Sequence, residues 1–202
     1  MFISFEGIDG SGKGTQVQLF TDYLRKKGVD FIYVREPGGT PFGEQIRNIL
    51  LVDRTLTAKA ELLLFLASRA QLVEAIIKPA LAQGKLVVAD RFADSSVAYQ
   101  GFARGLGVNI VKELNNFVTD GLKPNLTFYI DISVESALSR KKQLDRIEEE
   151  GKEFFRKVRK AYLDLIEEEP ERFVLVNGEA DELTIHNFIV ETFERRKKQN
   201  VI

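Results

Sequence analysis

The chain has 202 residues, 44% of them hydrophobic and 29% charged, with a formal net charge of −1. That length suits one domain with a sizeable core, and so balanced a charge gives no global attraction to nucleic acid or to an anionic membrane. Zero Cys excludes disulfides, thiol nucleophiles and cysteine zinc sites, and a single His, His186, leaves no histidine triad or metal cage; the chemistry falls to Asp, Glu, Lys and Arg. No apolar run approaches the ~20 residues of a membrane span, and the apolar start Met1-Phe2-Ile3 leaves no room for a signal peptide, so a cytoplasmic protein is expected.

Phe2 to Phe5 reads as a strand and runs into Gly7-Ile8-Asp9-Gly10-Ser11-Gly12-Lys13-Gly14-Thr15. An amphipathic helix follows over Lys13 to Lys27, with Val17, Phe20 and Leu24 at helical spacing and Gly28 at its end. Strand, glycine loop and helix together turn backbone N–H groups and a positive helix end toward one point, and Lys13 adds a full charge there. That point suits a polyphosphate. Gly7…Gly12-Lys13 fits the G-x-x-x-x-G-K-[ST] spacing, but Gly14 stands where Ser or Thr would hold Mg²⁺, and the hydroxyl comes at Thr15. The ending Gly12-Lys13-Gly14-Thr15 resembles the loop of adenylate-kinase-type enzymes more than that of GTPase switches.

A second strand, Phe31 to Val34, leads into Arg35-Glu36-Pro37-Gly38-Gly39-Thr40-Pro41, an irregular segment in which Thr40 caps the next helix and Pro41 opens it. A long helix spans about Ala58 to Ala82, which Pro79 is expected to kink or end. Its apolar stripe, Leu62, Phe65, Leu66, Val73, Ile76 and Ile77, contains Arg69. A guanidinium out of water costs several kcal/mol without a partner, so Arg69 must meet an acid or a polar ligand. Two readings stay open: a structural ion pair in the core, or a fork of donors beside the Phe65 ring that holds a flat heterocycle.

Leu86 to Asp90 has the all-apolar form of a buried parallel strand, ending in a carboxylate suited to Mg²⁺ or to water. Arg91 follows. Asp94 caps a short helix on which Ser95, Ser96 and Tyr99 share a face, ended by Gln100-Gly101. A helix near Asn109 to Thr119 and a strand over Leu126 to Asp131 come next. A helix from Ser133 runs into the charged stretch Arg140 to Gly151, either a solvated face or an arginine-bearing lid over a transferring phosphoryl group. A helix from Phe154 to Pro170, a strand over Phe173 to Val176, the turn Asn177 to Ala180 and a helix from Asp181 or Glu182 complete the chain.

Gly7 to Thr15, Arg35 to Pro41 with Glu44 and Arg47, Phe65 with Arg69, Asp90-Arg91, Ser95 to Gly101, and Leu144-Asp145-Arg146-Ile147-Glu148 occur in order over nearly the whole chain, and together they resemble the thymidylate kinase family. The resemblance implies an α/β P-loop fold: a five-stranded parallel sheet with helices on both faces, one domain over 1–202, a short lid at about 140–151, and a homodimer. It implies transfer of the γ-phosphoryl group of Mg·ATP to dTMP, giving ADP and dTDP on the way to dTTP. Lys13 and the loop Gly7, Ile8, Asp9, Gly10, Ser11, Gly12, Gly14 and Thr15 would then hold ATP, and Asp9, Thr15 and Asp90 would serve Mg²⁺. Arg91 and Arg47 would grip the dTMP phosphate, and Glu36 and Pro37 would shape the acceptor site. Phe65 would stack on thymine with Arg69 on its carbonyl edge, Ser96, Tyr99 and Gln100 would line the sugar and base side, and the turn at Asn177 to Ala180 would face adenine. The loop interior Asp9-Gly10-Ser11 lacks the Arg of some members, so the catalytic cation would come from Arg140 or Arg146. A nucleoside monophosphate kinase of other base specificity, a nucleotide-binding switch and a silent binding module remain alternatives; the switch reading finds no Asn-Lys-x-Asp guanine motif.

Overall fold

The computed structural model describes residues 1–140 and 146–199. Residues 141–145 of the expected lid, with Leu144 and Asp145 of its motif, lie outside the described residues.

Five strands, β1 (Phe2–Glu6), β2 (Phe31–Arg35), β3 (Leu86–Asp90), β4 (Leu126–Asp131) and β5 (Phe173–Asn177), form one sheet in the order β2-β3-β1-β4-β5. All four pairings are parallel. Helices cover both faces, as parallel crossovers require. On one face α1 (Lys13–Lys26) and α9 (Glu182–Lys198) set Phe20, Leu24, Ile189 and Phe193 against Ile3, Phe5, Val88 and Phe128. Phe2, Val87 and Ala89 alternate with those strand residues and meet Leu72, Val73 and Ile77 on the opposite face.

The caps follow the residue chemistry. Thr40 accepts from Gly43 N at the start of α2 (Pro41–Val52), Ser133 from Ser136 N at α7 (Val134–Ser139), and Asp181 from Thr184 N at α9. The long helix departs from expectation. Pro79 does not end it: α3 (Ala58–Leu72) widens into a π-helical turn over Val73–Ile77, where Lys78 N bonds Val73 O, and continues as α4 (Lys78–Ala82). The wider turn gives room to a proline ring that would otherwise press on the carbonyl four residues back.

The short helix after β3 also runs on. α5 (Ala93–Ser96) passes into a second π segment, Val97–Ala103, beyond the Gln100-Gly101 stop read from the sequence, and Asp94 lies inside α5 rather than capping it, its carboxylate taken by Arg172 at 2.6 Å. π turns of this kind recur at functional sites, and this one carries Tyr99 and Gln100. Two further helices, α6 (Val108–Thr119) and α8 (Lys152–Glu168), close the domain, with a 3₁₀ turn at Glu148–Glu150 between α7 and α8. Among the described residues no helix is long and apolar enough to cross a membrane.

Candidate active site

The carboxyl ends of β1, β2 and β3 open on one cavity of about 370 Å³. Asp9, Lys13, Glu36, Pro37, Arg47, Phe65, Arg69, Asp90, Arg91, Ser96, Tyr99 and Gln100 all line it, from segments up to 91 residues apart. The sequence had named each of these.

The glycine loop brings Asp9 and Lys13 to one side of the cavity, the side expected to take phosphate. Gly10 has φ 84°, and a Cβ there would run into the carbonyl of Ala137, so only glycine lets the loop pass under α7. Gly12 sits left-handed at the N-cap of α1; among the described residues no side chain caps that end and no acid lies in its first turn, which leaves its N–H groups for an anion. Ile8 is core, and Thr15 is exposed on the first turn of α1 rather than in the cavity. A Cβ at Gly14 would meet nothing within 4 Å, so packing does not explain the missing hydroxyl residue.

Lys13 Nζ pairs with Asp90, and Arg91 pairs with Asp9 at 2.8 Å. Tyr99 OH lies 3.1 Å from Asp9 Oδ2 and 3.3 Å from Arg91 Nη2. Arg91 holds an unusual backbone for a side-chain-bearing residue, φ 69°, and its N–H bonds Phe5 O at 3.0 Å. Burial works against its charge, but Asp9 and then Tyr99 outweigh it and keep the guanidinium protonated.

Beneath Arg91 lies a group the sequence reading missed. Glu6, the last residue of β1, is wholly buried; it accepts from Phe92 N at 2.8 Å, Ser95 Oγ at 2.6 Å and Tyr162 OH at 2.7 Å. Burial, then the charge of Asp94, pushes its carboxyl up to about 7 against the pull of Arg91. Burial and Glu6 push the Tyr162 hydroxyl well up, so it stays a donor. One local signal existed: Glu6 ends an apolar strand as Asp90 does.

The base side differs from the sequence picture of two groups presented side by side. Phe65 is half-buried at the cavity wall, but Arg69 is buried and its N–H donors are spent within the protein. Nε donates to Glu36 Oε2 at 2.8 Å, Nη1 to Ser96 Oγ at 3.0 Å and Asn115 Oδ1 at 2.6 Å, and Nη2 to Glu36 Oε2 and to Phe92 O at 3.2 Å. The acid that the apolar stripe demanded is thus Glu36. Burial pushes the Glu36 carboxyl up, with Arg69 opposing, and its Oε1 is buried without a hydrogen-bond partner among the described residues.

The two arginines expected to act from a lid part company. Arg140 lies beside the glycine loop: its Nη1 would be 3.8 Å from a Cβ at Gly12, and its Nη2 is 3.4 Å from Gly178 O. Arg146 is instead held away from the loop, by Glu61 at 2.6 Å and Leu50 O at 2.9 Å, and does not line the cavity. Glu61 also accepts from Gln100 Nε2 at 2.7 Å and from Arg104. Burial pushes the Glu61 carboxyl up, but these donors outweigh it and hold it below the usual range. Arg47 donates to Pro37 O at 2.9 Å and so fixes the irregular loop after β2. Tyr33, Arg35, Leu51, Ser95 and Ile147 complete the lining.

Comparison with known proteins agrees with this geometry. The family model described as thymidylate kinase matches residues 5–189. The chain is 56% identical over 195 residues to a thymidylate kinase of Fervidobacterium nodosum, covering 96% of this chain and 98% of that one. It is 50% identical over 197 residues to a thymidylate kinase of Kosmotoga olearia, covering 96% and 95%. The crystal structure of thymidylate kinase from Ehrlichia chaffeensis superposes with a TM-score of 0.81 at 36% identity, covering 96% of this chain and 98% of that one. A glycine loop, an arginine at the end of β3 and an aromatic wall meet in one cavity on a sheet shared with that structure, and the chain belongs to the thymidylate kinase family.

Proposed function

We propose that this chain transfers the γ-phosphoryl group of ATP to dTMP, giving ADP and dTDP. The carrying observation is that Lys13 and Asp9 of the glycine loop share one cavity with Arg91 and Phe65, so a donor phosphate site opens directly onto a site for an aromatic phosphate ester. The acceptor oxygen of dTMP is already anionic, so no strong base is needed, and catalysis rests on positioning and charge neutralisation.

Lys13 and the amides of the loop and of α1 hold the ATP phosphates, and the turn at Asn177 to Ala180 faces adenine. Arg91, with Arg47, holds the dTMP phosphate, while Phe65 stacks on thymine for ~1–3 kcal/mol. Ser96, Tyr99 and Gln100 line the sugar and base side; a base carbonyl reaches Arg69 by displacing Ser96 Oγ or Phe92 O. Arg140, beside Gly12, is the lid arginine placed to meet the transferring group, and Arg146 braces the base side. Asp9 and Asp90 offer the hard oxygen donors that Mg²⁺ takes alongside substrate phosphates and water, with the Thr15 hydroxyl near the same helix end. Mg²⁺, when bound there, would supply neutralisation of the phosphate charge.

Leu63 of α3 and Ile110 and Phe117 of α6 are exposed apolar residues on neighbouring helices, which supports a homodimer through that face. A cytoplasmic location fits these small charged substrates. The test is ADP formation from Mg·ATP with dTMP, dUMP, dCMP, AMP or GMP, and with no acceptor. Strong turnover with dTMP and weaker turnover with dUMP is expected, since the thymine methyl adds only ~1–3 kcal/mol of discrimination. Turnover with another acceptor alone overturns the thymine reading.

A further inference from the structure

Glu6 does not itself line the cavity, yet it bonds two groups that help fix Arg91: the backbone of Phe92 and the hydroxyl of Ser95. Its Oε1 takes the N–H of Phe92, the residue that follows the left-handed Arg91, and so pins the backbone that aims the guanidinium. Its Oε2 takes the hydroxyls of Ser95 and Tyr162, which are themselves 2.9 Å apart. An ionised carboxylate has no hydrogen to give, so both hydroxyl hydrogens turn toward it. The lone pairs of Ser95 Oγ then face outward, where Arg91 Nη1 donates to one of them at 3.2 Å. The hydrogens run in one direction, from Arg91 to Ser95 to Glu6.

We propose that Glu6 is a positioning residue for the acceptor phosphate: through Phe92 N and Ser95 Oγ it sets the backbone and the guanidinium of Arg91. This rests on the reading that Arg91 holds the 5′-phosphate of dTMP. Glu6→Gln keeps the size and breaks the direction. If its amide NH₂ faces Phe92, two donors collide; if it faces the hydroxyls, Ser95 Oγ accepts from it and its own hydrogen must leave Glu6 for Tyr162 OH or turn toward Arg91. Either way a bond that Glu6 accepts, from Phe92 N or from Ser95 Oγ, is lost and Arg91 is less firmly aimed, whereas the Phe65 side of the cavity has no bond to Glu6 among the described residues.

The test is calorimetric titration of dTMP and, separately, of thymidine into the wild type, Glu6→Gln, Ser95→Ala and Arg91→Ala at about pH 8, with the unfolding midpoint of each recorded. Glu6→Gln is expected to weaken dTMP about tenfold or more, the worth of a charge-assisted hydrogen bond, while thymidine, which lacks the phosphate, changes less than about twofold. Ser95→Ala removes only the relay hydroxyl and is expected to show the same selective loss, smaller; it carries the test should Glu6→Gln not fold. Equal weakening of dTMP and thymidine in these variants, the signature of a merely structural role, overturns the proposal. So does an unchanged dTMP affinity in Glu6→Gln or Ser95→Ala when Arg91→Ala lowers it. An unchanged dTMP affinity in Arg91→Ala overturns the underlying reading of Arg91 instead.

Discussion

The two walls of the cavity carry similar charges under opposite conditions. On the phosphate side, Arg91 and Asp9 keep 14% and 28% of their side-chain surface open to solvent; on the base side, Arg69 and Glu36 keep 1% and 3%. The partly open pairs join groups that, on the proposed function, each meet a ligand, so a polyphosphate and its cation would exchange partners with them at a smaller cost in solvation than the closed pair. The buried pair is closed, and its charges are architecture first. Charge type alone therefore does not say whether an arginine waits for substrate or holds a wall.

The largest effect should come from breaking the closed side. Arg69→Ala leaves Glu36 buried and unpaired and is expected to lower the unfolding free energy by about 3–5 kcal/mol in urea titration. Changing both residues together, Arg69→Met with Glu36→Leu, should recover most of that loss, because removing both charges also removes their desolvation cost. A stability change below about 1 kcal/mol would place Arg69 with the exchangeable groups instead.

Lys13→Ala should behave in the opposite way. Its partner Asp90 keeps 19% of its side-chain surface in solvent and can hydrate when left alone, so unfolding should shift clearly less than for Arg69→Ala, while kcat/KM for ATP falls about 10²–10³-fold, as for loss of a transition-state charge contact. A large loss of stability with activity retained would erase the distinction between the walls.

The smallest and most diagnostic effect is on pH. Glu6 is pushed up to about 7, so the native state keeps a proton that the unfolded chain loses, and the contribution of Glu6 to stability falls as pH rises from about 4.5 to about 7. Glu61 is held below its usual range, so its contribution is present above about 4.5 and is lost as pH falls through its lowered value. The Tm advantage of the wild type over Glu6→Gln should therefore shrink toward neutral pH, and its advantage over Glu61→Gln should shrink in acid. Thermal melts from about pH 3.5 to 8 check both slopes; parallel curves would refute the assignment.

Much of this molecule was legible before folding. The glycine loop, the five strands, the cap at Thr40 and the Arg91 and Phe65 positions follow from neighbours along the chain: period-two or helical spacing, a side-chain oxygen near a helix start, glycines where φ is positive. Arg69 was legible as a question, since a cation in an apolar stripe demands a partner, but not as an answer. Glu6 passed unread because a carboxylate at a strand end looks the same whether it faces the ligand or the core.

What the sequence by itself determined, then, were the elements and the residue types each brings to the strand ends, because those depend on local sterics and hydrophobic period. What only the tertiary structure decided was pairing. With 29 basic and 30 acidic residues, no local rule selects Glu36 for Arg69, Glu61 for Arg146, or Glu6 for Tyr162. Those partners lie 33, 85 and 156 residues apart, and the parallel crossovers bring them to one end of the sheet, where burial makes a charge with the wrong partner too costly to keep.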